Sequence, residues 1–152
     1  MNVDVPVRKI LAPIDRSKYK EKIIEYAISL GKAWGAEITT IHVIDPGRGV
    51  PGGRDKQKEF DREERAKKPA QELLDEVDVL AEREGLDIKK EIVEESNWRE
   101  PIGKAIIAYA KKNNFGVIVI GTTGMSKAEE VLLGSVANDV IHHAHCPVFA
   151  IR

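Results

Sequence analysis

The sequence has a single cysteine, Cys146, so no disulfide can form within the chain. That suits a reducing compartment and sets the expectation of a cytoplasmic protein. It lacks any apolar run near the roughly 20 residues needed to cross a bilayer, and its opening, MNVDVPVRK, has no signal-peptide core; no membrane association is expected. It also lacks an excess of either charge. With 24 Lys and Arg against 25 Asp and Glu, nothing in the balance favours nucleic acid or an anionic membrane as a partner. Neither common phosphate loop, GxxxxGK[ST] or GxGxxG, is present, and there is no internal repeat or low-complexity tract. No activated nucleophile and no paired acid and base can be picked out. What remains is 152 residues, one domain (1–152) with enough chain for a real core.

Strand-like and helix-like segments alternate along it. Lys9 to Ala12 is a short apolar run ended by Pro13, followed by Asp15 and a helix over about 17–34 with Ile23, Ala27, Leu30 and Trp34 on one face. Gly35 is placed to stop that helix. A second strand spans 37–43. Residues 46–53 hold four glycines and two prolines and read as a mobile surface loop, extending to about residue 56. A charged helix over about 55–84 carries Phe60, Leu73, Leu74, Val77 and Leu80 at helical intervals, with Pro69 either starting its packed part or kinking it. Gly85 closes it. Residues 87–93 alternate like a strand near a sheet edge. Residues 96–101 are a turn, with Pro101 as the first position of a helix whose apolar face is Ile102, Ala105, Ile106, Tyr109 and Ala110. This alternation argues for a parallel α/β sheet with helices on both faces.

The stretch 116–136, GVIVIGTTGMSKAEEVLLGSV, organises the rest. Val117, Ile118, Val119 and Ile120 form an unbroken β-branched run, the pattern of a strand buried on both faces. It ends at Gly121. Gly124 and the pair Gly134-Ser135 follow, and the apolar pattern resuming at Val136 reads as a helix to about residue 145 with Ser135 as N-cap. Two readings fit these glycines. They turn the chain, or they let the backbone approach a phosphate at a helix N-terminus.

The spacing Gly121-x2-Gly124-x9-Gly134-Ser135 resembles the ATP-binding signature of the universal stress protein (UspA-like) family. The resemblance extends from Lys9–Asp15 (KILAPID) through His42–Asp45 (HVID) to the closing CPVFAI of Cys146–Ile151. It implies a Rossmann-like fold of the adenine nucleotide alpha hydrolase type, five parallel strands in the order 3-2-1-4-5, with strands one and four side by side. Ligands of such sheets bind at that switch point. The resemblance further implies that Pro13, Ile14 and Asp15 line a nucleoside pocket and that Val43 contacts adenine through its backbone. Ile120, Gly121, Thr123, Gly124, Gly134, Ser135 and Val136 would then hold the rest of an ATP molecule, the glycines, Ser135 and Val136 through backbone N–H groups. A divalent ion, Mg or Mn, would be held mainly by phosphate oxygens and water. It implies a homodimer paired through the edge strand 148–151, and a nucleotide-dependent stress-response regulator with little or no hydrolysis, acting on an unknown downstream protein. A true ATPase of this fold and a dimeric scaffold that binds no nucleotide are the alternatives.

Several residues have two readings. Asp15 is a ligand acceptor or a helix-capping acid. Thr122 and Thr123 can add hydroxyl contacts, and Lys127 reaches a terminal phosphate or is a solvated loop lysine. His142 and His145 share a helix face as weak zinc ligands, or with His143 complement the helix dipole. Cys146 reads as a small core residue and His42 as a structural one.

Overall fold

The computed structural model describes residues 7–44, 56–95, 100–123 and 133–152, with 56–59 as backbone only. The 46–53 loop and residues 96–99 lie outside these. The described chain runs β1 (Lys9–Pro13), α1 (Lys20–Trp34), β2 (Glu37–Ile44), α2 (Lys56–Arg83), β3 (Ile88–Glu94), α3 (Ile102–Lys112), β4 (Val117–Gly121), α4 (Ser135–His143) and β5 (Val148–Ile151). All strands pair in parallel in the order β3-β2-β1-β4-β5, as the family resemblance implies. The start of α2 at Lys56 agrees with the helix expected from about residue 55.

Alternation along the central strands creates two cores. Ile10, Ala12, Val117 and Val119 face α1 and α2; Leu11, Ile118 and Ile120 face α3 and α4. Each of the Val, Leu and Ile side chains, almost fully buried, contributes roughly 1.5–3 kcal/mol relative to exposure. Surface ion pairs are worth about 0–1 kcal/mol, so the apolar runs decide the fold.

Gly35 ends α1 in the left-handed region (φ 61°), its N–H bonded to the Gly31 carbonyl. Trp34, expected on the buried face, is 40% exposed and meets Phe149 of the edge strand β5 edge-on, with ring centroids 6.2 Å apart. Phe60 of α2 likewise departs from expectation at 57% exposed. The reason is length. A 28-residue helix is about 42 Å long, whereas the seven residues of β3 span about 23 Å. The helix overshoots the sheet. It passes through Pro69 unbroken, and its buried face starts at Ala70, Leu73 and Leu74. Lys90 of β3 anchors it through Asp78 at 2.5 Å and Asp75 at 3.1 Å.

Two helix starts shift by one residue. Pro101 is the N-cap of α3, with extended ψ of 146°, rather than its first helical residue. Gly134 (φ −69°, ψ 161°), not Ser135, is the N-cap of α4, and that helix ends at His143.

Candidate functional site

The site begins where the sheet opens. β1 pairs with β4 only at Ile10↔Val117 and Leu11↔Ile118; beyond these the carboxyl ends of the two strands are unpaired with each other, while β1 stays paired to β2 and β4 to β5. Ile14 N–H donates to the Ile41 carbonyl of β2. By the two-residue repeat of a parallel ladder, Pro13 is therefore turned to β4, and proline has no N–H to offer it. α1 leaves toward one face and α4 toward the other, as a topological switch point requires.

A cavity of about 350 Å³ occupies this opening. Pro13, Ile14 and Asp15 line it from the end of β1, Val43 from β2, Ile120, Gly121 and Thr123 from β4, and Gly134, Ser135 and Val136 from the start of α4. The structure thus gathers the anticipated residues around one crevice. Gly124 and Lys127 lie outside the described residues. Thr122 also lines the cavity.

Local hydrogen bonds define what each group has left to offer. Asp15 Oδ1 accepts the Ser17 N–H at 2.8 Å. It closes a turn ahead of α1 and does not cap it, since the N-cap is Tyr19. At Gly121 a Cβ would lie 3.2 Å from Ile23 Cδ1 and 3.3 Å from the Thr123 carbonyl, so the backbone approaches its neighbours closely there. Thr122 is the clamp of this end of the sheet: its N–H donates to the Ile151 carbonyl at 2.8 Å, and its carbonyl accepts the Gly134 N–H at 2.6 Å. The expectation that Gly134 offers its N–H to a phosphate is therefore corrected, because that donor is engaged. Among the described residues the N–H groups of Ser135, Val136 and Ala137 have no acceptor, as the first turn of a helix leaves them. The first turn of α4 itself carries no acidic side chain. The arrangement suits an anion at the α4 end and an apolar group deeper in.

The apolar wall is what the sequence reading missed. Ile102 and Ile106 of α3 and Ile23 of α1 face the cavity, where periodicity assigned them to cores alone. A signal was available: in a parallel sheet every helix starts at the carboxyl edge, so apolar residues in first turns border the crevice. His42 also lines it, with Nδ1 donating to the Ile14 carbonyl at 2.8 Å.

The remaining candidates lie elsewhere. His142 Nδ1 bonds the Asn138 carbonyl within α4, whereas His145, beyond the helix end, bonds the Phe115 carbonyl through Nε2. The two do not share a helix face, and no metal-binding cluster of three His, Cys, Asp or Glu occurs among the described residues. His142 and His143 sit in the last turn of α4, the end favourable to imidazolium. Cys146 is half-buried against the α3–α4 core, and burial raises its thiol pKa. No helix of the described residues is long and apolar enough to cross a membrane.

Residues 6–152 match the Universal stress protein family. Universal stress protein MJ0531 of Methanocaldococcus jannaschii is 36% identical over 149 residues, which cover 95% of this chain and 82% of that protein. Among solved structures, universal stress protein UspA from Lactobacillus plantarum superposes with a TM-score of 0.75 at 24% identity, covering 98% of this chain and 100% of that one. The universal stress protein from Archaeoglobus fulgidus in complex with dAMP gives 0.66 at 23% identity, covering 97% and 100%. A universal stress protein in complex with cAMP gives 0.69 at 18% identity, covering 97% and 98%. These structures share the Rossmann-like fold. With the family match spanning nearly the whole sequence, this chain belongs to the universal stress protein family.

Proposed function

We propose that the crevice between β1 and β4 binds ATP and that the protein is a nucleotide-dependent stress-response switch of the cytoplasm. The observation that carries the reading is the pairing of an apolar slot with an open helix N-terminus in one cavity. An adenine ring suits the slot formed by Ile23, Ile102 and Ile106. Phosphate oxygens suit the N–H groups of Ser135, Val136 and Ala137. Relatives of the same fold solved with dAMP and cAMP support an adenine nucleotide as the ligand class. A divalent ion, where one accompanies the nucleotide, is held through the phosphates and water.

Little hydrolysis is expected of such a site. Asp15 and His42, the titratable side chains on the described cavity wall, each hold the chain's own backbone with one of their polar atoms. A homodimer through β5 belongs to the same proposal: the strand is an edge, and Phe149 is 40% exposed beside Trp34. The testing experiment is mass analysis of small molecules released from the purified protein, followed by calorimetric titration with ATP, AMP and GTP. Adenine nucleotide recovered from the protein, or ATP heat saturating below millimolar concentration, is the expected result. The absence of both signals would overturn the reading and leave a scaffold that works without nucleotide.

A further inference from the structure

We infer that Gly103 is a positioning residue: having no side chain, it lets the first turn of α3 pack directly on the backbone of α4, and that spacing sets the width of the base slot. This role rests on the adenine-nucleotide reading above. Gly103 is the second residue of α3 and is buried. Glycine is unfavourable inside a helix, because it gives up more backbone freedom than alanine does. A positive φ does not account for it, since among the described glycines only Gly35 and Gly85 adopt one.

The reason is space. A Cβ on Gly103 would stand 2.7 Å from Asp139 Cβ, 3.1 Å from Asp139 Oδ2 and 3.3 Å from the Val136 carbonyl oxygen. Carbon atoms that are not bonded settle about 3.5–4.0 Å apart. The Asp139 Cβ is fixed to the α4 backbone, so no change of rotamer clears it. Only a shift of one helix against the other does.

The start of α4 is tied to β4, where the Gly134 N–H donates to the Thr122 carbonyl at 2.6 Å. Among the described residues the first turn of α3 has no such bond to a strand, and its N-cap Pro101 supplies no side-chain cap. A side chain at position 103 therefore displaces α3. Ile102 and Ile106, which line the cavity, move with it, while Ser135, Val136 and Ala137 stay in place. Val136 joins the two parts of the site, since its carbonyl abuts Gly103 and its N–H belongs to the phosphate seat. Gly103 does not itself line the cavity. It fixes the base slot against the phosphate seat without touching the nucleotide.

The experiment titrates the parent, Gly103→Ala, Asp139→Gly and the Gly103→Ala/Asp139→Gly double variant with ATP and with adenosine by calorimetry, with thermal unfolding to show that each is folded. Gly103→Ala should weaken ATP and adenosine together, by about tenfold, the scale on which an apolar pocket answers to a misfit of one carbon. Removing the opposing Cβ in the double variant should bring both affinities back to within about threefold of Asp139→Gly alone. A purely structural role would lower the unfolding midpoint and leave both affinities at the parental value, which would overturn the inference. So would a loss confined to ATP, or a double variant no better than Gly103→Ala. If Gly103→Ala fails to fold, the double variant decides, because its Cβ still meets the Val136 carbonyl at 3.3 Å. A joint loss of about two- to threefold against Asp139→Gly then supports the role, and equal affinities overturn it. No ATP binding by the parent protein would instead overturn the nucleotide reading, and the role of Gly103 with it.

Discussion

Replacing Ser135 with proline separates the integrity of α4 from the anion seat proposed at its start. Ser135 is the first helical residue, its side chain is exposed, and its N–H has no acceptor among the described residues. Proline is well tolerated at such a position, since its fixed φ suits the helix and the lost N–H was not in use. Gly134, with ψ of 161°, already has the extended conformation that a residue before proline requires. The stability change should therefore stay within about 0.5 kcal/mol. Nucleotide binding loses one hydrogen bond to a charged phosphate, about 1.5–3 kcal/mol. That corresponds to roughly 10- to 100-fold in ATP affinity. Calorimetry with ATP and with adenosine, beside thermal unfolding of both proteins, separates the effects: ATP affinity falls, adenosine affinity holds, and the midpoint barely moves. Parental ATP affinity in a folded Ser135→Pro protein would refute the start of α4 as the phosphate seat.

Three other outcomes are expected. Gly121→Val should cost about 1–3 kcal/mol in denaturant unfolding, because its Cβ alone already meets Ile23 and the Thr123 carbonyl; a neutral result would mean that this strand end yields freely. The α2–β3 ion cluster should give stability a pH dependence with a defined sign. Hydrogen bonds from Gln71 and then Lys90 lower the Asp75 pKa, so its contribution is present above the ordinary carboxylate value and lost as pH falls through the lowered one. The hydrogen bond to Asp78, with a smaller one to Asp75, raises the Lys90 pKa, so its contribution is present below the ordinary lysine value and lost as pH rises through the raised one. Lys90→Met should remove the alkaline limb of the stability profile and reduce the acid one, where the Gln71 hydrogen bond remains, and an unchanged profile would show the cluster to be inert. Finally, Phe149→Glu should shift the proposed dimer to a monomer in light scattering at micromolar concentration; a parent protein that is already monomeric would remove the β5 interface from the proposal.

Much of the architecture was legible because its causes are local. β-branched runs mark β4 and its burial on both faces, and Gly35 and Gly85 stop α1 and α2 because both adopt a positive φ that other residues resist. The edge character of β3 showed in its alternating charges, and its burial pattern agrees. The strand order came from resemblance to a family and not from periodicity, since periodicity reports which face a residue takes and is silent on its neighbour across the sheet. Helix starts were off by one residue at Pro101 and Ser135, where dihedral angles rather than residue type decide the cap.

The sequence by itself determined that this chain is a parallel α/β domain, where its elements lie and which residues bear the glycine signature, because backbone preference and hydrophobic period act over a few residues. Only the tertiary structure decided how the signature is used. It shows the Gly134 N–H engaged by the Thr122 carbonyl, isoleucines of α1 and α3 walling the crevice, and His42 holding the Ile14 carbonyl. Those assignments depend on which strand lies beside which and where a ladder stops. Such pairings join residues roughly 10 to more than 100 positions apart, beyond the reach of any local pattern.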